Sequence, residues 1–125
     1  MKEFILWLYL LNATILIDHE IDSAYWKEWK LFHLPGGEAG FLLLHIPLLM
    51  PVLYGLVLAD RGMFAGLILS LVVSVSGLLA FSIHTFFLHR GHPEFKTPVS
   101  LGLLWMILLV SLAQFCLTVA MLVYI

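Results

Sequence analysis

Apolar residues fill most of this chain in long stretches, and polar residues are gathered into short segments between them. A helix needs about 20 largely apolar residues to cross the hydrocarbon core of a bilayer. The pattern predicts four such helices, over residues 4–20, 39–59, 63–88 and 99–125. The first is the shortest, and it gains length only if the helix continues through the polar residues that follow it.

The segment between the first two predicted spans, residues 18–37, mixes aromatic and charged residues. Trp26 and Trp29 alternate with Lys27 and Lys30, and tryptophan favours the boundary between membrane and water. This pattern predicts an amphipathic helix lying in that boundary. The expected fold is therefore all-α, an integral membrane four-helix bundle with an interfacial amphipathic helix between helices 1 and 2.

Composition supports the membrane assignment. The 125 residues are 62% hydrophobic and only 11% charged, with a mean hydropathy of +1.06. A single domain of this size, residues 1–125, has too little interior to hide so many apolar side chains, so they must face lipid. A net charge of −2 without a basic run argues against nucleic acid as a partner. The expected surroundings are a lipid bilayer, with a homo-oligomer or a larger membrane complex as further alternatives.

The basic residues are divided unequally between the two membrane faces. Lys2 and Arg61 lie on the face of the N-terminus, and four lie on the other: Lys27, Lys30, Arg90 and Lys96. The positive-inside rule predicts that loops 18–38 and 89–98 are cytoplasmic and both termini outside. A bacterial inner membrane is the expected location.

The histidines are divided more sharply still. All six lie at or near the second face: His19, His33, His45, His84, His89 and His92. Ionisable groups at membrane depth are costly and face the protein interior. His45 and His84 are therefore expected to face each other or a common cavity, near a mouth formed by His19 and Glu20.

Histidine and carboxylate together are typical ligands of Fe, Zn, Mn or Cu, and the core of a helical bundle can hold such an ion. The first choice of ligands is His19, Glu20, His45 and His84. The second choices are Asp22, Glu28, Glu38, His89 and His92. No closed metal-binding motif is present, so this prediction rests on the gathering of residue types at one face.

Inside the predicted bundle, Gly66, Ser70 and Ser74 recur every four residues. Such a stripe of small residues lets helices approach closely in lipid. Asn12 and Gln114, each within an apolar span, are expected to form hydrogen bonds between helices.

The stretch Asp18-His19-Glu20-Ile21-Asp22, followed by Tyr25-Trp26-Lys27-Glu28-Trp29, resembles small polytopic bacterial membrane proteins of unassigned function. Those families carry a His-x-x-Glu-Glu type motif after the first span, and His45-Ile46-Pro47-Leu48 is a second point of likeness. The resemblance covers the first half of the chain. Asp22 and Ser23 stand where the motif has two glutamates. The resemblance implies a membrane location and no particular activity.

Three functions fit these observations. The first is a metal-binding membrane protein, including a metal-dependent enzyme that acts on a lipid-soluble substrate. The second is a non-catalytic accessory subunit, or a channel or transporter component, whose polar face serves proton transfer or docking. The third is a b-type haem protein with His45 and His84 as axial ligands.

Overall fold

A computed structural model describes residues 2–124. It contains five helices: α1 (Lys2–Tyr25), α2 (Glu28–Leu31), α3 (Gly37–Asp60), α4 (Phe64–His89) and α5 (Pro98–Val123). The four long helices are long and apolar enough to cross a membrane, which confirms the all-α membrane bundle. Residues 2–124 contain no β-strand.

The first span continues through its polar end. Helix α1 extends to Tyr25 and so includes residues 18–25 of the segment predicted to lie in the membrane boundary. The separate helix α2 has only 4 residues and lies between two residues with a left-handed backbone, Lys27 with φ of 54° and His33 with φ of 53°. Residues 18–25 therefore prolong a spanning helix, and their side chains are placed by α1.

The ends of the other helices follow local rules. Gly36, with φ of 86°, turns the chain into α3, a conformation that glycine adopts without steric cost. The Thr97 hydroxyl accepts a hydrogen bond from the Ser100 backbone N–H at 3.1 Å, and Pro98 fills the first turn of α5. Both are favourable at a helix N-terminus. Helix α3 continues through Pro47 and Pro51.

In the bundle, α4 packs against α5 on one side and α3 on the other, and α1 contacts all three. The buried apolar core contains Tyr9, Ala13, Ile15, Leu16, Val73 and Ile107. Large apolar side chains also cover the outside: Trp7, Leu43 and Leu109 are 68%, 67% and 64% exposed. An apolar exterior of this kind is the surface that a bilayer solvates.

A ladder of polar side chains joins three helices through the middle of this core. The Asn12 amide donates to Gln114 Oε1 at 2.7 Å and accepts from the Ser111 hydroxyl at 3.2 Å. Gln114 donates to the Ser70 hydroxyl at 2.9 Å, and Ser70 shares a 2.8 Å hydrogen bond with Thr118. All five side chains are buried. The expected interhelical hydrogen bonds of Asn12 and Gln114 are therefore present.

Replacing Asn12 with leucine should lower the free energy of unfolding by about 1–3 kcal/mol, because buried groups on Gln114 and Ser111 lose their partners. Reversible unfolding in mixed micelles measures this. Thr14→Val is the matched control, since the Thr14 hydroxyl is exposed and bonds only within its own helix to Leu10 O. The Asn12→Leu/Gln114→Leu double variant should lose less than the sum of the single losses. Strictly additive losses would mean that the two amides act independently.

Candidate functional site at one end of the bundle

His19 and His84 meet at the end of the bundle where α1 and α4 come together. Their rings lie edge to face, with centroids 4.5 Å apart and planes at 87°. His19 is 1% exposed and His84 is 3% exposed. The Nδ1 atoms of both rings are buried and have no hydrogen-bond partner among the described residues. Unpaired buried nitrogens are rare, since each forfeits its hydration without compensation.

Glu28 brings a carboxylate to this pair. The left-handed turn at Lys27 lets α2 fold back over the end of α1, and Glu28 becomes 9% exposed. Its Oε1 lies 3.6 Å from His84 Nε2, which is longer than a hydrogen bond. Its Oε2 is buried without a partner within residues 2–124. Among the described residues, the carboxylate within 4 Å of His84 is therefore Glu28, a second-choice ligand in the sequence prediction.

Aromatic side chains cover the two imidazole rings. Phe95 is 1% exposed, and its ring centroid lies 4.3 Å from that of His84 and 6.1 Å from that of His19. Phe32 lies 6.3 Å from His84 on another side. Phe95 is in the polar loop before α5, and sequence reasoning did not select it. The available signal was a lone aromatic residue between Glu94 and Lys96.

Phe95 also has an unusual backbone conformation, with φ of 65°. A bulky residue in the left-handed region is strained. Burial of the ring over His19 and His84 compensates for that strain. The loop is therefore held over the end of the bundle by the same side chain that covers the histidines.

A pocket of about 250 Å³ opens beside these groups. It is lined by His19, Glu20, Glu28, Phe32, Ser76, Leu79, Ala80, Ile83 and His84. Within the described part of the chain, no three His, Cys, Asp or Glu side chains converge closely enough to hold a metal ion together. Three of the four first-choice ligands, His19, Glu20 and His84, line this pocket together with the second-choice residue Glu28. The fourth first-choice ligand, His45, does not line it.

His45 is paired elsewhere. Its Nε2 lies 2.6 Å from Glu20 Oε2, and its Nδ1 lies 2.7 Å from the carbonyl oxygen of Phe41. The predicted apposition of His45 and His84 is not found, because α3 presents His45 to Glu20 while α1 presents His19 to His84. Both ring nitrogens of His45 are engaged, so these contacts do not favour axial ligation of a haem by His45 and His84.

The remaining candidate ligands make other contacts or occupy exposed positions. Asp22 accepts a hydrogen bond from the Trp26 indole at 3.1 Å. His92 lies 3.6 Å from Glu94. Exposed positions are occupied by His33, Glu38 and His89. Within residues 2–124, none of these side chains makes a hydrogen bond or an ion pair with His19 or His84, although Asp22 Oδ2 is buried without a partner.

Burial raises the pKa of the Glu28 carboxyl from an ordinary 4.5 to about 7. The folded protein then holds this proton more tightly than the unfolded chain does. This contribution to stability is complete below pH 4.5 and is lost as the pH rises through about 7. One unit of pKa is about 1.4 kcal/mol, so the loss should approach roughly 3 kcal/mol.

This expectation is checked by measuring the free energy of unfolding between pH 4.5 and pH 8 in the presence of a chelator. Glu28→Gln should remove this contribution, because its amide stays neutral, so the stability of the parent relative to the variant should fall by roughly 3 kcal/mol between pH 4.5 and pH 8. The exposed Glu38 supplies the control, and Glu38→Gln should leave the slope unchanged. A difference between the parent and Glu28→Gln that stays constant across this pH range would assign the titration to another group.

The four apolar helices and the buried polar groups at one end define a polytopic α-helical membrane protein. Residues 5–121 match a family of unknown function, DUF6713, and the chain belongs to that family. No curated protein and no solved structure matches this chain. Membership of an uncharacterised family agrees with the resemblance found in the sequence, while the His-x-x-Glu-Glu motif, the bacterial origin and the orientation stay predictions.

Proposed function

We propose that this membrane protein binds a divalent transition metal ion through His19, His84 and Glu28 and uses it in chemistry on a lipid-soluble substrate. One observation carries the proposal: two imidazoles in contact and a neighbouring carboxylate are all buried, and each has an unpaired polar atom. Leaving such atoms unpaired costs about 1–3 kcal/mol each. A cation bound by these side chains would compensate part of the cost of burying the Glu28 carboxylate.

The spacing of two of these groups suits a shared ion. Bonds of about 2.1 Å in a tetrahedral shell separate neighbouring ligand atoms by roughly 3.4 Å. The 3.6 Å between His84 Nε2 and Glu28 Oε1 is close to that separation. The third ligand, His19, requires a rotation of its ring towards the pocket, and Glu20 on the pocket wall is available as a fourth. Imidazole and carboxylate ligands favour Zn, Fe, Mn or Cu.

The surroundings support reactivity as well as binding. A metal ion in such a site activates water or polarises a bound oxygen. Phe95 and Phe32 shield the imidazoles from bulk water, which strengthens electrostatic interactions within the site. Glu20 lies on the same pocket wall and contacts His45 at 2.6 Å, and in this proposal the pair holds a proton beside the metal ion.

The proposal is tested by elemental analysis of the tag-free protein. The purified protein is equilibrated separately with Zn²⁺, Fe²⁺, Mn²⁺ and Cu²⁺, and free metal is then removed. We expect about one equivalent of one of these metals per chain, with weaker retention at acidic pH because the ligands must be deprotonated. Stoichiometry well below one for all four metals would refute the proposal.

A further inference from the structure

A second pocket lies between α1 and α3, on the other side of Glu20. Its volume is about 140 Å³. Apolar side chains form most of its wall, and the polar lining consists of Glu20, His45 and Ser76. Leu48, on its wall, is 52% exposed on the lipid-facing surface. The pocket is therefore reachable from the acyl region of a bilayer.

The hydrogen bonds of His45 determine what this pocket offers a ligand. The Phe41 carbonyl can only accept, so His45 Nδ1 carries a proton and donates it over 2.7 Å. The 2.6 Å contact with Glu20 then needs one more proton, held by either His45 Nε2 or Glu20 Oε2. The pair is neutral overall in both cases. In both cases the second oxygen, Glu20 Oε1, is an acceptor.

Glu20 Oε1 has no hydrogen-bond partner among the described residues, and the Glu20 side chain is 32% exposed. An acceptor at the acyl boundary is satisfied best by a ligand that donates. A neutral hydroxyl does so without bringing a charge into the membrane. A carboxylate ligand would instead place its negative charge against Glu20.

We propose that this pocket binds the head group of a lipid-soluble phenol, with its hydroxyl donating to Glu20 Oε1 and its alkyl chain leaving past Leu48. The size agrees with one aromatic ring, since an engineered apolar cavity of about 150 Å³ accepts benzene. Leu16, Leu49 and Val52 supply the apolar wall for the ring.

Glu20 lines both pockets, so a hydroxyl bound to it lies beside the proposed metal ligands. The phenol is thus a candidate substrate of that site. As a statement about the substrate, this inference depends on the proposed function. As a statement about binding, it depends only on the pocket, so binding is measured on chelator-treated protein.

Three probes with the same long alkyl chain distinguish hydrogen-bond donation from size and charge. They are a 4-alkylphenol, its methyl ether, which cannot donate, and the matching 4-alkylbenzoate, which carries a negative charge. Their Kd values are measured by titration calorimetry with the full chain in nanodiscs. We expect the phenol to bind at least about tenfold more tightly than either analogue, a difference of about 1.4 kcal/mol, which is within the range that one hydrogen bond supplies. Equal affinities of phenol and methyl ether would overturn the proposal.

Variants locate the site. Glu20→Met keeps the side-chain length and should abolish the preference for phenol, whereas Glu20→Gln retains an acceptor and should keep part of it. Leu48→Trp should fill the pocket and weaken the phenol and the ether alike. The matched control Glu38→Met, at an exposed position, should bind as the parent does. A preference that survives in Glu20→Met, or unchanged binding in Leu48→Trp, would place the ligand elsewhere.

The two proposals fail separately. A chain that holds no metal but prefers the phenol through Glu20 loses the proposed function and keeps this pocket. A chain that holds metal but does not distinguish phenol from ether keeps the metal site and loses the phenol as its ligand.

Discussion

Replacing His84 with alanine should weaken metal binding by about 100-fold or more. Loss of a group that only supports a metal ligand already costs 10- to 100-fold in affinity, and His84 is proposed as a direct ligand. His84 is buried and contacts both other proposed ligands, His19 through its ring and Glu28 at 3.6 Å. Its removal therefore takes away one ligand and the neighbour that positions the other two.

The measurement is a competition titration with a chelating dye at neutral pH, using the metal that elemental analysis identifies. His89→Ala is the matched control, because His89 is on the same helix and exposed. It should bind metal like the parent protein. His45→Ala should lose less than His84→Ala, since His45 is engaged by Phe41 and Glu20.

A His84→Ala protein that folds and retains parental affinity would exclude His84 as a ligand. Equal losses in His84→Ala and His45→Ala would favour the set of four ligands predicted from the sequence, with Glu20 bridging the two histidines. Helical content and the unfolding midpoint of each variant establish that the comparison is made between folded proteins.

The second large effect is expected at Gly66, where α4 begins beside the end of α3. A Cβ on Gly66 would lie 2.6 Å from the backbone carbon of Leu58 and would also collide with the backbone of Ala59. Backbone atoms at this tight connection have little room to move. Gly66→Ala should therefore lower the free energy of unfolding by about 1–3 kcal/mol, the usual range for overpacking.

Gly102 provides the same chemical change without the collision, since a Cβ there meets nothing within 4 Å. Gly102→Ala should stabilise the protein by up to about 1 kcal/mol, because alanine is the better helix former. Unfolding of both variants in the same mixed micelles gives the comparison. A Gly66→Ala protein as stable as Gly102→Ala would show that α3 and α4 can separate here at little cost.

Much of the fold follows from the pattern of apolar and polar residues along the sequence. Four apolar stretches of spanning length specify four helices, and their alternating direction brings the ends that carry His19, His45 and His84 to the same end of the bundle. Asn12 and Gln114 were identifiable because an amide within an apolar span needs a partner. Such arguments succeed since bilayer thickness and hydrogen bonding constrain each helix separately.

The tertiary structure alone decided which side chains meet. Periodicity places His19 and His84 on polar faces, but the rotation of each helix in the bundle determines that His84 faces His19 and that His45 faces Glu20. The tertiary structure also brings Glu28 and Phe95 next to the histidines, through left-handed backbone conformations in short connections between helices. The sequence by itself determined the spans and the end of the bundle that holds the polar groups. The partners depended on packing between distant segments, which no local pattern records.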